Sequence, residues 1–297
     1  MLVLPPPFLA CAALLAFVVG ACVASFINCA ALRRSTGESV LTGRSHCPHC
    51  KATLGATELI PIISWFMLGK KCKHCGASLS VRYPLTELIG GLSFAAIVWA
   101  DGTWGQGLSL HTLHWLIFAG ILLYASLVDI DSRTIPDGCI LAAIAVRVIY
   151  IVLAGPVLGQ IDGAAVAAES LIGGFAIAIP LRVVVLVADR VLGRDSMGGG
   201  DIKLFFVAGL YFGWRACLFL IMIACFIGIV AALFSQRKEL KALEERTSVL
   251  EEVGFDGEAE ELSLRHQPIT FGPAIAAACV IIMLIGQPLV NWYGGLF

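Results

Sequence analysis

LHWLIFAGILLYASLVD, residues 113–129, is a long apolar run that ends in a carboxylate, Asp129. Met197-Gly198-Gly199-Gly200-Asp201 is a second such place, since it leads into another apolar stretch. About 20 apolar residues cross a hydrocarbon layer of ~30 Å, and an ionised carboxylate at that depth costs several kcal/mol unless it has a partner. Such carboxylates mark function more often than structure. We therefore predict that Asp129 and Asp201 form an intramembrane acid–base pair.

The composition indicates a membrane protein. Of 297 residues, 59% are hydrophobic and 14% are charged, and the mean hydropathy is +0.90, which leaves too little polar surface to cover a soluble globule. We predict an all-α polytopic protein with about eight transmembrane helices and a small cytoplasmic zinc-knuckle loop. Segment 202–213 is short, so it is either tilted, re-entrant or one arm of a broken hairpin with 215–234. The predicted apolar stretches are 8–32, 84–100, 113–129, 138–155, 164–192, 202–213, 215–234 and 268–293.

The distribution of lysine and arginine predicts the orientation. The loop 33–83 is rich in both, whereas 101–112 and 156–163 contain neither, so the positive-inside rule places 33–83 in the cytoplasm and the N-terminus outside. Basic residues follow the first apolar run instead of preceding it, which is opposite to a cleavable signal, so we expect that span to be retained. Counting spans forward then puts Asp129 and Asp201 at the same cytoplasmic boundary.

Four of the 11 cysteines form a pattern typical of a metal site. Cys47 and Cys50 form one C-x-x-C pair, and Cys72 and Cys75 form another in the same predicted cytoplasmic loop. A reducing compartment argues against disulfides, and paired C-x-x-C turns can bring four thiolates together around Zn²⁺. We predict a structural zinc site, because a set of four cysteine ligands leaves no open position for water. A histidine at 49 or 74 replacing one cysteine, and a thioredoxin-like redox role, are the alternatives.

The chemistry of two adjacent carboxylates is that of aspartic proteolysis. When two aspartates approach, one keeps its proton, so the pair supplies a base for water and an acid for the leaving amine. The preceding glycines, including Gly198 and Gly200, tolerate positive φ and allow a substrate peptide to approach. Taken alone, a glycine-rich turn before a helix is equally well explained by an Asp that caps the helix.

Together these motifs resemble the type IV prepilin peptidase family, in that family's order and over about residues 20–275. The following elements carry the resemblance: Ser25-Phe26-Ile27-Asn28, the two cysteine pairs, Arg82-Tyr83-Pro84 with Glu87, Asp129-Ile130-Asp131, Ile135-Pro136-Asp137, Gly198-Gly199-Gly200-Asp201-Ile202-Lys203-Leu204 and Phe271-Gly272-Pro273.

The resemblance implies a GxGD-type intramembrane aspartic peptidase of the bacterial cytoplasmic membrane. Such enzymes remove the basic leader of type IV prepilins and type II secretion pseudopilins, and many then methylate the new N-terminus with S-adenosylmethionine. It implies catalytic roles for Asp129 and Asp201. Supporting roles are implied for Asp131, Asp137, Gly198, Gly200 and Lys203, with Lys203 balancing charge near Asp201 and Asp137 capping the helix from 138.

The expected organisation has three parts, with a first transmembrane helix at 1–32, a four-cysteine region associated with methyl transfer at 33–83, and a peptidase domain at 84–297. Within the last, 235–267 is a charged insert, interpreted as a solvated helix or a surface that docks a partner. Lys70 stands where the family usually has glycine, so methylation rests on weaker ground than proteolysis. Glu58 and Glu87 are candidates for holding a basic leader, with ordinary solvation or capping equally well supported.

Two other classes of function are considered. In an ion- or proton-coupled transporter the aspartates would relay protons and the knuckle would regulate, but such carboxylates usually lie at mid-span, between repeated halves. A pilus or secretion assembly factor without activity is the third class.

Overall fold

The computed structural model describes residues 5–40, 43–103, 109–193, 197–252 and 270–294, with only the backbone at 238–252 and 286–294. Within these ranges the regular secondary structure is helical apart from two isolated bridges in the cysteine region, His46–Thr53 and Lys71–Ser78. The helices are α1 (Pro6–Thr36), α2 (Ile63–Met67), α3 (Arg82–Thr103), α4 (Leu110–Ser132), α5 (Asp137–Val152), α6 (Gly163–Leu192), α7 (Gly199–Glu252) and α8 (Gly272–Gly294). A 3-10 turn (Ala56–Leu59) precedes α2, and a π-helical turn (Leu153–Val157) extends α5.

In the described part of the chain, six helices are long and apolar enough to cross a membrane, and α8 contributes a shorter apolar segment, Gly272–Ile285. The long α7 is not straight, because Gly213 has φ 71° and ψ 170°, outside helical geometry. Phe271 touches Gly228 and also lies 6.2 Å, ring centre to ring centre, from Phe205. Residues 205 and 228 of a straight helix would be about 34 Å apart. The chain therefore turns back at Gly213, as the broken-hairpin interpretation predicted, and every predicted apolar stretch contains a helix.

Small residues let neighbouring helices approach closely. A Cβ on Gly90 would lie 2.4 Å from Cβ of Ala24, and a Cβ on Gly173 would lie 2.4 Å from the carbonyl oxygen of Gly209. These are contacts of α3 with α1 and of α6 with α7. Inside a bilayer, where lipid tails are as apolar as leucine, such close packing is what holds helices together.

The largest apolar core joins α4, α5, α7 and α8. Phe118 and Leu122 from α4 are fully buried against Phe205 and Leu220 from the two arms of α7 and against Ile275 from α8. This packing brings together the last turn of α4, the first turn of α7 and the first turn of α8. Those three helix ends form the candidate site.

The cysteine region, 37–81, connects α1 to α3 at the same end of the bundle as that site. Arg82, the first residue of α3, bonds to Asp131 in the last turn of α4. The knuckle and Asp129 therefore lie at the same end of the bundle, and the membrane boundary at which they meet stays a prediction. Of the charged insert, 235–252 continues α7 as a helix, and 253–267 lies outside the described residues.

Candidate functional site

Asp129 is buried in the last turn of α4, with 5% of its surface exposed. Its Oδ2 accepts a hydrogen bond of 3.0 Å from the backbone N–H of Gly272, at the start of α8. Arg133 closes the helix one turn later with φ 54°, and its N–H bonds to the carbonyl oxygen of Asp129. Asp129 is therefore fixed by hydrogen bonds to both its backbone carbonyl oxygen and its side chain.

Asp201 lies in the first turn of α7, where its N–H bonds to the carbonyl oxygen of Gly198 over 3.1 Å. The carboxylate of Asp201 is close enough to Asp129 for the two to interact electrostatically. This interaction relates two residues that are 72 positions apart in sequence, and their catalytic pairing stays a prediction. Asp201 is half-buried, whereas Asp129 is enclosed.

Two glycines make this approach sterically possible. A Cβ on Gly272 would lie 2.6 Å from Oδ2 of Asp129, and a Cβ on Gly200 would lie 3.1 Å from Cβ of Ile135. None of residues 198–200 has a positive φ. The predicted left-handed backbone conformation at these glycines is therefore not present. Gly200 instead lets the start of α7 pack against the connection between α4 and α5.

Asp131 points to the opposite face of α4 from Asp129, since two residues correspond to about 200° of helix rotation. Both of its oxygens accept bonds from the guanidinium of Arg82, one at 2.8 Å, and Nε of Arg82 bonds to Oδ1 of buried Asn28 over 3.0 Å. This α1–α3–α4 link, Asn28–Arg82–Asp131, joins the cysteine-bearing part of the chain to the helices that carry the aspartates. Asp131 therefore bonds the end of α4 to the start of α3.

Asp137 and Lys203 form an ion pair of 2.6 Å between the first turns of α5 and α7. The pair is largely exposed. Lys203 contacts Asp137, whereas the resemblance implied that it balances charge near Asp201. Helix α5 begins at Asp137, one residue earlier than expected, and the residue before it provides no side-chain cap. The ion pair therefore joins the start of α5 to the first turn of α7, the helix that carries Asp201.

Glu58 and Glu87, considered for leader binding, are engaged within the protein. Glu87 is buried and its Oε2 accepts the N–H of Ile62 over 2.7 Å, while Glu58 accepts the N–H of Gly55 over 2.7 Å. The capping interpretation of these residues fits better than leader binding. Sequence reasoning assigned no role to Gly272, although its motif was recognised, because a backbone N–H that serves a distant carboxylate leaves no side-chain signal.

The four cysteines Cys47, Cys50, Cys72 and Cys75 converge, with all sulfurs within 4.8 Å of one another. Cys47 and Cys75 are 3.9 Å apart, close to the ~3.8 Å expected between two thiolates bound tetrahedrally to one zinc. The two loops are equivalent, since the N–H of Cys47 bonds to Ala52 and that of Cys72 bonds to Ala77. Such repeated turns are typical of zinc knuckles.

The loop backbone also favours thiolate. The N–H of Cys50, opposed by burial of the side chain, lowers the pKa of the Cys47 thiol to about 7. The N–H of His74 points at the sulfur of Cys72 over 3.4 Å. Because metal ligands must be deprotonated, these donors suit a bound cation. The donor set and its spacing fit Zn²⁺ in a closed structural site.

Replacing Cys72 by serine is expected to reduce bound zinc from one ion per chain to none and to unfold 43–81, because metal binding in such loops contributes several kcal/mol to folding. Metal analysis with limited proteolysis of the purified protein measures both. Cys225→Ser, at an exposed position of α7, is the matched control and retains zinc. Full zinc in the Cys72 variant would contradict the assignment.

Breaking the Asn28–Arg82–Asp131 link is expected to change the stability of the fold and not the chemical step. Asp131→Asn is expected to lower the free energy of unfolding by about 1–3 kcal/mol, because a mostly buried guanidinium loses its charged partner. Thermal unfolding of Asp131→Asn, Arg82→Gln and the double variant gives the coupling. Strictly additive losses would show that the pair contributes nothing.

Residues 18–100 match the Bacterial Peptidase A24 N-terminal domain, and residues 116–233 match the Type IV leader peptidase family. The boundary between the two matches falls between α3 and α4, and the Arg82–Asp131 ion pair crosses it. No solved structure matches the chain.

Several curated relatives carry the name prepilin leader peptidase/N-methyltransferase. The Dickeya chrysanthemi protein is 30% identical over 236 residues, which cover 79% of this chain and 70% of that protein. The Bacillus subtilis (strain 168) protein is 28% identical over 281 residues, 93% of this chain and 96% of the relative. The Myxococcus xanthus (strain DK1622) protein is 31% identical over 217 residues, but the match spans only 61% of its length.

Proposed function

Because this chain belongs to the type IV leader peptidase family, we propose that it is an aspartic endopeptidase that removes the basic leader from type IV prepilins or type II secretion pseudopilins. The observation that carries the proposal is the meeting of Asp129 and Asp201 at the ends of two apolar helices. The transporter alternative has no support from the relatives, and a bare scaffold has no need of two such carboxylates.

In the proposed reaction, Asp129 and Asp201 share one proton. The ionised carboxylate takes a proton from water, which attacks the scissile carbonyl, and the protonated partner donates to the leaving amine. No covalent intermediate forms. The N–H of Gly272 is bonded to Oδ2 of Asp129, and we assign the contact with Asp201 and the water to the other oxygen, Oδ1.

The site's position suits a substrate that is itself a membrane helix. Asp129 and Asp201 lie one turn from helix ends, at the boundary where a prepilin's apolar segment would meet its polar leader. We propose that the protein lies in the bacterial inner membrane, with its N-terminus outside and the cysteine region in the cytoplasm. The basic loop 33–83 supports that orientation.

Methylation of the new N-terminus with S-adenosylmethionine is the second proposed activity. It is supported by the printed names of the relatives and by the match of 18–100 to the family's N-terminal domain. The Arg82–Asp131 bond ties the four-cysteine region, 33–83, to the end of α4 that carries Asp129, so a newly formed amine would emerge at the same end of the bundle. In this organisation zinc would stabilise the fold of the four-cysteine region, and the methyl donor would supply an electrophilic methyl group. Residues 84–297 form the proposed peptidase domain.

Intact-mass spectrometry of a co-expressed prepilin tests both activities. We expect loss of the leader mass with the wild-type protein and a further ~14 Da on the mature chain if methylation follows, a one-carbon addition to the amine. Cleavage without added mass would remove only the methylation proposal. An unprocessed prepilin, with the enzyme folded in the membrane, would contradict the peptidase proposal, and ion flux without peptide would favour the transporter.

A further inference from the structure

The turn before α2 and α2 itself carry an unusual surface for a loop outside the apolar spans. Five large apolar side chains are exposed there, with Phe66 63% and Met67 77% accessible, while Trp65 on the other face of α2 is buried. We call these five the α2 patch: Leu59, Ile60, Ile63, Phe66 and Met67. Exposed apolar groups clustered in this way mark a surface that another apolar phase covers.

A hydrogen bond fixes how deep the α2 patch lies. The N–H of Ile62 donates to Oε2 of Glu87 over 2.7 Å, and Glu87 is buried in the second turn of α3. Ile62 adopts φ 63° and ψ −55°, a conformation that costs a β-branched residue about 1–3 kcal/mol. The bond to a buried carboxylate offsets this cost. The start of α2 is therefore tied to the side of a membrane-spanning helix.

The patch lies at the level of the apolar residues that α3 exposes near its start. Leu85, Leu88 and Ile89 are exposed apolar residues of α3, and they bracket Glu87 in the sequence. Since a helix rises 1.5 Å per residue, Glu87 is only about 7.5 Å beyond Arg82, where α3 begins. The α2 patch thus stands level with the outermost lipid-facing turns of α3.

Basic residues follow the patch directly. Lys70, Lys71 and Lys73 are exposed, and Nζ of Lys70 lies 5.1 Å from the centre of the Trp65 ring. Apolar side chains beside lysines form the pattern of segments that lie in a membrane interface, where the chains enter the acyl boundary and the ammonium groups meet anionic headgroups. The charges of the lysines and the depth of the α2 patch therefore indicate the same partner, the lipid bilayer.

We propose that the α2 patch inserts into the bilayer interface on the side of Asp129 and Asp201, with Lys70, Lys71 and Lys73 on anionic phospholipid headgroups. This contact, together with the covalent ends of the loop at α1 and α3, holds the four-cysteine region against the membrane. The inference concerns the bilayer alone and is independent of the proposed peptidase activity.

Photolabelling tests the proposal on the wild-type protein. The chain is reconstituted in nanodiscs that contain phosphatidylglycerol and a phospholipid with a diazirine in its acyl chain, and adducts are mapped by mass spectrometry. We expect residues 59–67 to label within about threefold of 85–89 and at least about tenfold more than 51–53, because interfacial side chains reach the acyl boundary. Labelling at 85–89 without labelling at 59–67 overturns the proposal.

A charge-insertion variant provides the matched comparison. Ile63→Glu/Phe66→Glu is expected to reduce labelling of 59–67 by about tenfold or more, since each buried apolar side chain contributes over 1.4 kcal/mol. Thr53→Glu, at an exposed position of the first cysteine loop, adds charge outside the patch and leaves labelling unchanged. Both variants must retain zinc for the comparison to count. Unchanged labelling in the double variant would contradict insertion.

Two further arms separate the headgroup contribution and the rival occupant. Replacing phosphatidylglycerol by phosphatidylcholine is expected to lower labelling of 59–67 by at least about fivefold, since Lys70, Lys71 and Lys73 then lose their attraction to an anionic surface. A co-reconstituted prepilin with a photoreactive apolar segment is expected to label the helices near Asp129. If it labels 59–67 and displaces lipid there, the patch is a substrate surface and the proposal fails.

Discussion

Asp129→Asn and Asp201→Asn are each expected to reduce kcat for prepilin cleavage by about 10⁴-fold or more, because either change removes a group that must exchange protons with water and the leaving amine. Asparagine keeps the size of aspartate, and at position 129 its amide oxygen can still accept the N–H of Gly272. The loss therefore reports chemistry more than folding. The measurement is single-turnover cleavage by purified protein in nanodiscs, followed by mass spectrometry.

Two nearby carboxylates serve as matched controls. Asp131→Asn and Asp137→Asn remove the same charge at the same membrane boundary, but their partners are Arg82 and Lys203, respectively. We expect each to keep kcat within about tenfold of wild type, because neither side chain faces the reacting atoms. Equal losses in all four variants would mean that net charge, and not the Asp129–Asp201 pair, supports cleavage.

Gly272→Ala is expected to lower kcat by about 10²-fold with a small change in KM. The added methyl group would lie 2.6 Å from Oδ2 of Asp129, so the carboxylate or the start of α8 must shift by several tenths of an ångström. Misplacement of a catalytic group by about 1 Å can cost 10²-fold in rate. Substrate binding along the helices does not depend on this contact, which is why KM is expected to hold.

Gly138→Ala is the control for that effect. Gly138 lies in the first turn of α5, and a Cβ there meets nothing within 4 Å. Alanine is favoured over glycine by up to about 1 kcal/mol inside a helix, so stability should rise slightly and kcat should not change. Comparable losses in Gly138→Ala and Gly272→Ala would show that loss of glycine flexibility, and not the contact with Asp129, matters.

The sequence predicted the apolar helices, because lipid forces spans to be long and apolar. It also predicts a catalytic pair of Asp129 and Asp201, because intramembrane carboxylates are costly, and that pair stays a prediction. It predicted the cysteine cluster for a similar reason, since ligand spacing is local. The hairpin at Gly213 was only one of several interpretations, because a single left-handed glycine inside an apolar run has no distinct pattern.

Partners of individual polar groups were harder to predict. The resemblance implied that Lys203 balances charge near Asp201, yet packing of α5 against α7 brings Asp137 within 2.6 Å of Lys203. The N–H of Gly272 and the Asn28–Arg82–Asp131 link depend on how distant helices cross. Helix crossings follow from side-chain packing over the whole bundle, which local periodicity does not encode.

The central claim, that Asp129 and Asp201 act as one unit, is tested most directly by the double variant Asp129→Asn/Asp201→Asn. Groups that work together lose their function together, so the double variant is predicted to cleave prepilin within about threefold of either single variant. The rate is measured by mass spectrometry over long incubations with equal amounts of folded enzyme. Losses that multiply, or a single variant with near wild-type cleavage, would contradict a shared catalytic role.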